Sequence, residues 1–432
     1  MDTSVLQYDV IVVGGGPGGI GAAVAAARQG AHTALLERGG VVGGMLTAGQ
    51  VQPILGSVAP GSFYDEVVSL LSRGHEDMPP VNTHNGVEVQ VDPEQAKERL
   101  LRLLIDSGVE VYLHTPVVEV LVEEDRVTGV LAGSAVGLQE FRASVIIDAT
   151  GDGSAAAMAG AEFEIGRESD GRCQPATIEF IVDHLDPKRA ISCWGGSDPV
   201  KLPDGREYRQ VCKEAAASGE LPSNVTIVRL HQTYYADERN VNATQANGFD
   251  TLSPTDEARA QLLLREQIDM IVAFLRKHAP GFENCRVKSS GATIGVRETR
   301  RITGMDRVED IDVETGRKRP DVVVHNAWFL IDIHNPAGGG QAEKFAQPAQ
   351  PYDIPYGALV ARDLDGLMMA GRCISGTHRA HASYRVMAIC LAIGQAAGTA
   401  AALSVKHNCS PRQLKASLVQ EALQAQGVKL FD

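Results

Sequence analysis

Asp9-Val10-Ile11-Val12-Val13-Gly14-Gly15-Gly16-Pro17-Gly18-Gly19 is the stretch that decides the fold. A β-branched apolar run ends in a glycine turn, an alanine-rich helical segment follows, and Thr33-Ala34-Leu35-Leu36 then closes on Glu37. This order predicts a buried strand, a tight turn, a helix and a second strand ending in an acid, which is the fingerprint of a dinucleotide-binding β-α-β unit. Gly14 permits the turn, Gly16 lets backbone approach a pyrophosphate, and Gly19 lets helix and sheet pack closely. Pro17 and Gly18 open the helix, whose N-terminus offers free N–H groups and a positive dipole end to phosphate. Glu37 is placed to accept hydrogen bonds from a ribose diol and disfavours a 2′-phosphate.

Outward from this unit, the chain has 432 residues, too many for one ordinary core, and 44% of them are hydrophobic. Its formal net charge of −14 argues against nucleic acid or an anionic membrane as partner, while leaving room for local arginines to bind a small acidic substrate. Seven cysteines without a CxxC pair argue against a disulfide framework, a dithiol reductase and cysteine-ligated zinc or iron–sulfur clusters, and point to a reduced, cytoplasmic setting. No signal peptide and no membrane span are expected; the small-residue segment Ala388 to Leu403 comes closest, and Gly394, Gln395 and Gly398 interrupt it.

Helices are expected near Phe63 to Ser72, from Pro93 with Asp92 as N-cap, and over Ser253 to His278. Short strands are expected at Glu110–His114, Val117–Val122, Val127–Leu131, Leu138–Arg142, Val145–Asp148 and Ala327–Ile333. Gly338-Gly339-Gly340 reads as a hinge or loop tip. The texture becomes more charged and turn-rich between about 165 and 350. The expected architecture is therefore α/β: a Rossmann-like nucleotide domain built from discontinuous segments, 1–165 and 350–432, with an inserted α+β substrate domain at 166–349.

Two further segments turn a nucleotide into a flavin. Asp148-Ala149-Thr150-Gly151-Asp152-Gly153 ends a strand in a glycine loop, and Leu367 to Leu403 reads as strand, Gly371, polar loop and a long helix starting near Ser383. Such a helix end would stabilise the negative charge of a reduced flavin around N1 and the C2 oxygen.

On these motifs the chain resembles the FAD-dependent oxidoreductases of the glutathione-reductase-like structural group, and within it the broad bacterial class called FAD-dependent oxidoreductase. The resemblance runs through Val12–Gly44, Asp92–Arg167, Arg297–Gly304 and Tyr352–Leu403. It implies bound FAD and redox chemistry, and says little about what is oxidised. Carried over by position, it implies that Gly14, Gly16, Gly19 and Glu37 hold pyrophosphate and adenosine ribose, and that Arg38, Gly43 and Gly44 lie along the cofactor. It places Thr150 and Gly151 on the pyrophosphate side, Gly371 and Arg372 by the ribityl chain, and Val386 and Met387 near the pyrimidine end. The structural group usually carries an aspartate where this chain has Arg372, so the ribityl partner differs. No histidine follows Gly43-Gly44, which removes support for a histidyl-linked flavin, and Cys373 reads as a packed thiol rather than a flavin thioether.

For proton handling the histidines stand out. His378 and His381 lie just before the long helix beside Arg379 and Arg385; His334 follows a predicted strand; His231 ranks lower. Arg385 is the candidate active-site cation; Arg297, Arg300 and Arg301 form a basic cluster that could hold a substrate carboxylate or phosphate bidentately or pair with Glu298, Asp306 and Glu309, and Arg300 and Arg301 read as structural. The leading expectation is hydride removal from a C–H next to oxygen or nitrogen, with His378 or His334 taking the O–H or N–H proton. Oxygen or a separate carrier would accept the electrons. The alternatives are reduction or formation of a C=C bond in a carboxylate held by Arg385, a flavin-binding sensor without turnover, and a nicotinamide dehydrogenase on the same fold. The sequence is compatible with a homo-oligomer, and no metal site is expected.

Overall fold

The computed structural model describes residues 5–75, 78, 80–83, 86–195, 198–338 and 347–431. Strand β1 (Leu6–Val13) leads through the glycine turn into helix α1 (Pro17–Arg28) and returns as β2 (Thr33–Leu36), which pairs with β1 in parallel, Val13 opposite Leu36. From Val10 onward β1 is apolar on both faces because the sheet is covered on both sides. Next to β1 lies Gly137–Asp148, a single twelve-residue strand where two short ones were expected. No turn residue separates its halves, and each half has its own partner. The first half pairs antiparallel with Arg126–Ser134, and the second pairs in parallel with β1 on one side and Leu367–Met369 on the other.

The consequence is a row of strand ends. Leu36, Val13, Asp148 and Met369 are mutually in register. The segments that leave them, starting at Glu37, Gly14, Ala149 and Ala370, emerge side by side at the carboxyl edge of the sheet, where open α/β sheets bind ligands.

Behind the sheet, α1 packs on the long helix Met387–Lys406 with the backbones close at glycines. A Cβ on Gly394 would come within 2.1 Å of the Gly18 carbonyl oxygen, and one on Gly398 within 2.0 Å of that of Ala22. The long helix is apolar and long enough to cross a membrane, but 94% of that apolar window is buried in the fold. It begins at Met387 rather than near Ser383, since the expected polar loop is itself a short helix, His378–Tyr384, capped by the Thr377 hydroxyl and separated from the long one by Arg385-Val386. The expected strand at Ala327–Ile333 lies earlier, at Val322–Ala327, paired with Tyr352–Pro355. The other helices fall where their caps place them, at Phe63–Leu71, Pro93–Asp106 and Pro254–His278, with Asp92 and Ser253 accepting first-turn N–H groups.

Buried apolar residues form two clusters. One holds the nucleotide sheet and its helices; the other, Ala176 to Ile294, is built on a four-stranded antiparallel sheet and the helices Tyr208–Ser218 and Pro254–His278. The expected boundary at 349 does not match this packing: Ile302 to Ala349 contributes to the first cluster, because Val322–Ala327 pairs within the larger unit. Of the anticipated Gly338-Gly339-Gly340 hinge, the last two glycines lie outside the described residues. The smaller unit is stitched to the larger by Asn240 donating to the Gln50 carbonyl (2.9 Å), Tyr234 to that of Gln90 (2.6 Å), and the buried pair His231–Glu88 (3.1 Å).

Candidate active site

The glycine loop divides by what surrounds each α-carbon. Gly14 adopts φ 102°, and a Cβ there would strike the Ala149 carbonyl oxygen at 2.7 Å. One on Gly19 would lie 1.8 Å from the Gly14 oxygen, and one on Gly18 would meet the Gly371 nitrogen at 2.8 Å. Gly16 alone in this loop faces open space, with nothing within 4 Å. That opening, at the N-cap of α1 and followed by Pro17, leaves backbone exposed where it could hold a pyrophosphate. Glu37 stands beside it, accepting from the Gly15 N–H (2.7 Å) and the Gly39 N–H (2.6 Å); a carboxylate with two such bonds keeps lone pairs for a diol. Gly44 approaches the cradle from the other side, its Cβ position 3.0 Å from the Gly16 α-carbon.

Asp148, fully buried, staples the next loop by accepting from the Thr150 N–H and hydroxyl and from the Ala156 N–H. Burial pushes its carboxyl up from the ordinary value. Arg372 covers Gly151 and pairs with Asp152, which also accepts from Thr299 (2.8 Å). Burial alone would raise Asp152, yet Arg372, Thr299 and the charge of Arg38 hold it below the ordinary carboxylate value. The guanidinium expected beside a ribityl chain is thus anchored to the neighbouring loop, with its buried Nε left without a protein partner. Cys373 is buried, and burial raises its thiol well above the ordinary value, as a packed thiol requires. Val386 is the N-cap of the long helix and Met387 its first residue, both nearly buried.

Between this cradle and the smaller sheet lies a polar seam. Glu298, almost fully buried, accepts from Arg301 (2.5 Å) and from the Gln174 N–H (3.2 Å), and its Oε1 lies 2.8 Å from His378 Nδ1. A carboxylate can only accept, so His378 carries hydrogen on Nδ1, and in the neutral ring Nε2 is the acceptor. That Nε2 is buried and has no partner in the protein. Arg301 also donates to the carbonyls of Gly376 and Gly166, and Arg300 to that of Asp152 while lying over the Phe163 ring. Arg301 is thus paired with Glu298, whereas Arg300 makes no ion pair among the described residues and keeps a buried Nε without a partner. His381 is buried so completely that its imidazole is pushed well below the ordinary value.

Farther along, Asp332 joins Arg385 (3.4 Å) and His334 (3.3 Å). Burial would raise the Asp332 carboxyl, but His334 and Arg385 hold it far below the usual carboxylate range. Burial and the charge of Arg297 push His334 down to about 3, so its ring is neutral at physiological pH. Arg297 is buried and donates to the Pro175 carbonyl (2.7 Å); burial and Arg385 both disfavour its charge. Burial lifts Glu179, at the edge of the same seam, to about 7.

The structure therefore brings His378, Arg385 and His334 into one seam, and adds Glu298, Asp332, Arg297 and Glu179. No spacing rule in the sequence links position 298 to 378, or 332 to 385, so Glu298 and Asp332 were invisible as partners.

The sheet, the cradle and the glycine approach define a Rossmann-type flavin-binding protein. Residues 9–423 match the family described as FAD dependent oxidoreductase, and the chain belongs to that family. Among curated proteins it is 29% identical over 215 residues to digeranylgeranylglycerophospholipid reductase 1 of Methanopyrus kandleri, covering 46% of this chain and 53% of the relative. It is 29% identical over 269 residues to dihydrolipoyl dehydrogenase of Chlorobaculum tepidum, covering 60% and 51%. The chain thus matches about half the length of each. Its fold is similar to that of a geranylgeranyl bacteriochlorophyll reductase-like protein from Thermoplasma acidophilum, with TM-score 0.50 and 15% identity, covering 98% of this chain and 84% of that one.

Proposed function

We propose that this enzyme is a dehydrogenase or oxidase that takes hydride from a C–H bond next to oxygen or nitrogen in a small polar substrate. FAD, when bound, supplies the hydride acceptor at its N5 atom. Gly14, Gly16, Pro17, Gly18 and Gly19 would hold its pyrophosphate on the α1 N-terminus, Glu37 and Arg38 its adenosine end, and Gly43, Gly44, Thr150 and Gly151 its length. Gly371, Arg372, Val386 and Met387 would border the flavin end. The smaller sheet, from 176 to 294, would cover the seam and exclude water from it.

His378 takes the proton in this reading. Its Nδ1–H is fixed on Glu298, so Nε2 is the basic atom, and Glu298 stabilises the imidazolium that forms. His334, neutral and hard to protonate, accepts a hydrogen bond rather than a proton. The observation that carries the proposal is the buried, unpartnered Nε2 of an imidazole oriented by a buried carboxylate.

The test is anaerobic mixing of the FAD-loaded enzyme with a panel of alcohols, amines and enoates. Bleaching of the oxidised flavin band by an alcohol or amine is expected, and His378→Asn should slow it by about 10²- to 10⁴-fold with FAD content unchanged. Bleaching at the wild-type rate in His378→Asn removes His378 from the reaction. A second reading, reduction or formation of a C=C bond in a carboxylate, draws on the buried Arg385–Asp332 pair. Reoxidation of pre-reduced enzyme by an enoate, with no response to alcohols or amines, would favour it.

A further inference from the structure

The seam is unequal in its hydrogen-bonding sense. Gln174 uses its Oε1 to accept from the His334 N–H (3.1 Å), which leaves its buried Nε2 as a donor without a partner. Arg385 gives Nη2 to the Asp332 carbonyl and carboxylate, and its Nε is buried and unpartnered. Arg297, 8% exposed, donates to Pro175 next door to Gln174 and has no carboxylate within ion-pair distance among the described residues. Its electrostatic neighbours are Arg385, Asp332, Arg229 and Glu179. Asp332 is committed to Arg385 and His334, and Glu298 to Arg301 and His378. A buried guanidinium without a counter-ion is strongly unfavourable, and such donors are retained where a ligand supplies the anion. Acceptor chemistry is present as well: His334 points Nε2 at Asp332 and leaves Nδ1 buried without a partner.

We infer that Arg297, Arg385 and Gln174 form the anchor for a carboxylate on the substrate, leaving the hydroxyl or amine of the same molecule to His378 Nε2. This deepens the oxidation reading and rests on it: the substrate class becomes a small hydroxy- or amino-carboxylate. The planar fork of Arg297 grips the carboxylate oxygens, Gln174 adds an amide donor, and the O–H or N–H is directed toward His378. The cradle residues take no part, so FAD binding is independent of the anchor.

The experiment titrates acetate, lactate, alanine and inorganic phosphate into the FAD holoenzyme, following heat and the flavin absorption band. Lactate or alanine should bind saturably and more tightly than acetate, and phosphate should be weakest. Arg297→Gln should weaken carboxylate binding by about tenfold or more without loss of FAD, and Arg297→Lys, which keeps charge but loses the fork, should fall between. If Arg297→Gln does not fold, Arg297→Lys still decides: binding equal to wild type overturns the anchor. Phosphate binding more tightly than every carboxylate overturns the ligand class, as does saturable binding that is identical in wild type and Arg297→Gln. If carboxylates bind through Arg297 while no alcohol or amine bleaches the flavin, the oxidation reading fails and the anchor stands. If bleaching persists in Arg297→Gln with unchanged KM, the anchor fails and the oxidation reading stands.

Discussion

The contact between α1 and the long helix Met387–Lys406 and the polar seam beneath the smaller sheet are both buried, and they are buried on opposite terms. In the first, glycine and alanine let two backbones meet without polar side chains, so nothing is missing from the packing. In the second, Arg297, Arg385, Gln174, His334 and His378 carry charges or polar atoms that the protein itself leaves incompletely matched. The first region is complete as folded; the second reaches its full set of bonds with a ligand. Stability should therefore respond to shape in one place and to charge in the other.

Acid provides the largest expected break. His334 is pushed down to about 3 from 6.5, so the unfolded chain binds the extra proton across that window. Its contribution is intact above about pH 6.5 and is lost as pH falls toward 3, by about 4 kcal/mol. His334→Gln should flatten the acid limb of a urea-denaturation pH series; an unchanged limb would show that other groups govern it. Next is Gly394→Ala. Its new methyl would collide with the Gly18 carbonyl, and separating the helices should cost about 3 kcal/mol at every pH. Loss below 1 kcal/mol would mean the contact is looser than its geometry.

Glu179 sharpens the contrast with the opposite sign. Its carboxyl is raised from 4.5 to about 7, so the native state resists ionisation and stability declines as pH rises through that interval. Glu179→Gln should add about 3 kcal/mol at pH 8 and almost nothing at pH 4. A pH-independent effect would trace the change to packing. The smallest stability effect belongs to Gly16→Ala. A methyl there touches no protein atom, so melting of the FAD-free protein should move by less than about 0.5 kcal/mol while FAD affinity falls. Reduced stability with intact FAD affinity would contradict the cradle.

Legibility in the sequence followed the range of the interaction. The Asp92 and Ser253 caps, Pro17 at the helix start and the glycine spacing are local, and each element they mark lies where the residues place it. The break at Arg385-Val386 was missed because His378–Tyr384 carries no strong helix pattern; its ordering comes from the Thr377 cap and from burial of almost every side chain. Likewise the residues from 302 onward read as part of the insertion by texture, but buried apolar ones such as Ile302, Val323, Val324 and Phe329 pack in the larger cluster.

By itself the sequence determined the β-α-β unit, the acid at its end, the parallel sheet and the FAD-binding class, because turns, caps and apolar runs act over a few residues. Only the tertiary structure decided that Met369, Asp148, Val13 and Leu36 end in one row, that Glu298 orients His378, and that Arg297 lies beside Arg385 without a counter-ion of its own. Those relations join residues as many as 356 positions apart in the case of Val13 and Met369, both in register with Asp148, or 80 in the case of Glu298 and His378. Electrostatics and hydrogen bonding depend on distance in space, which no local pattern encodes.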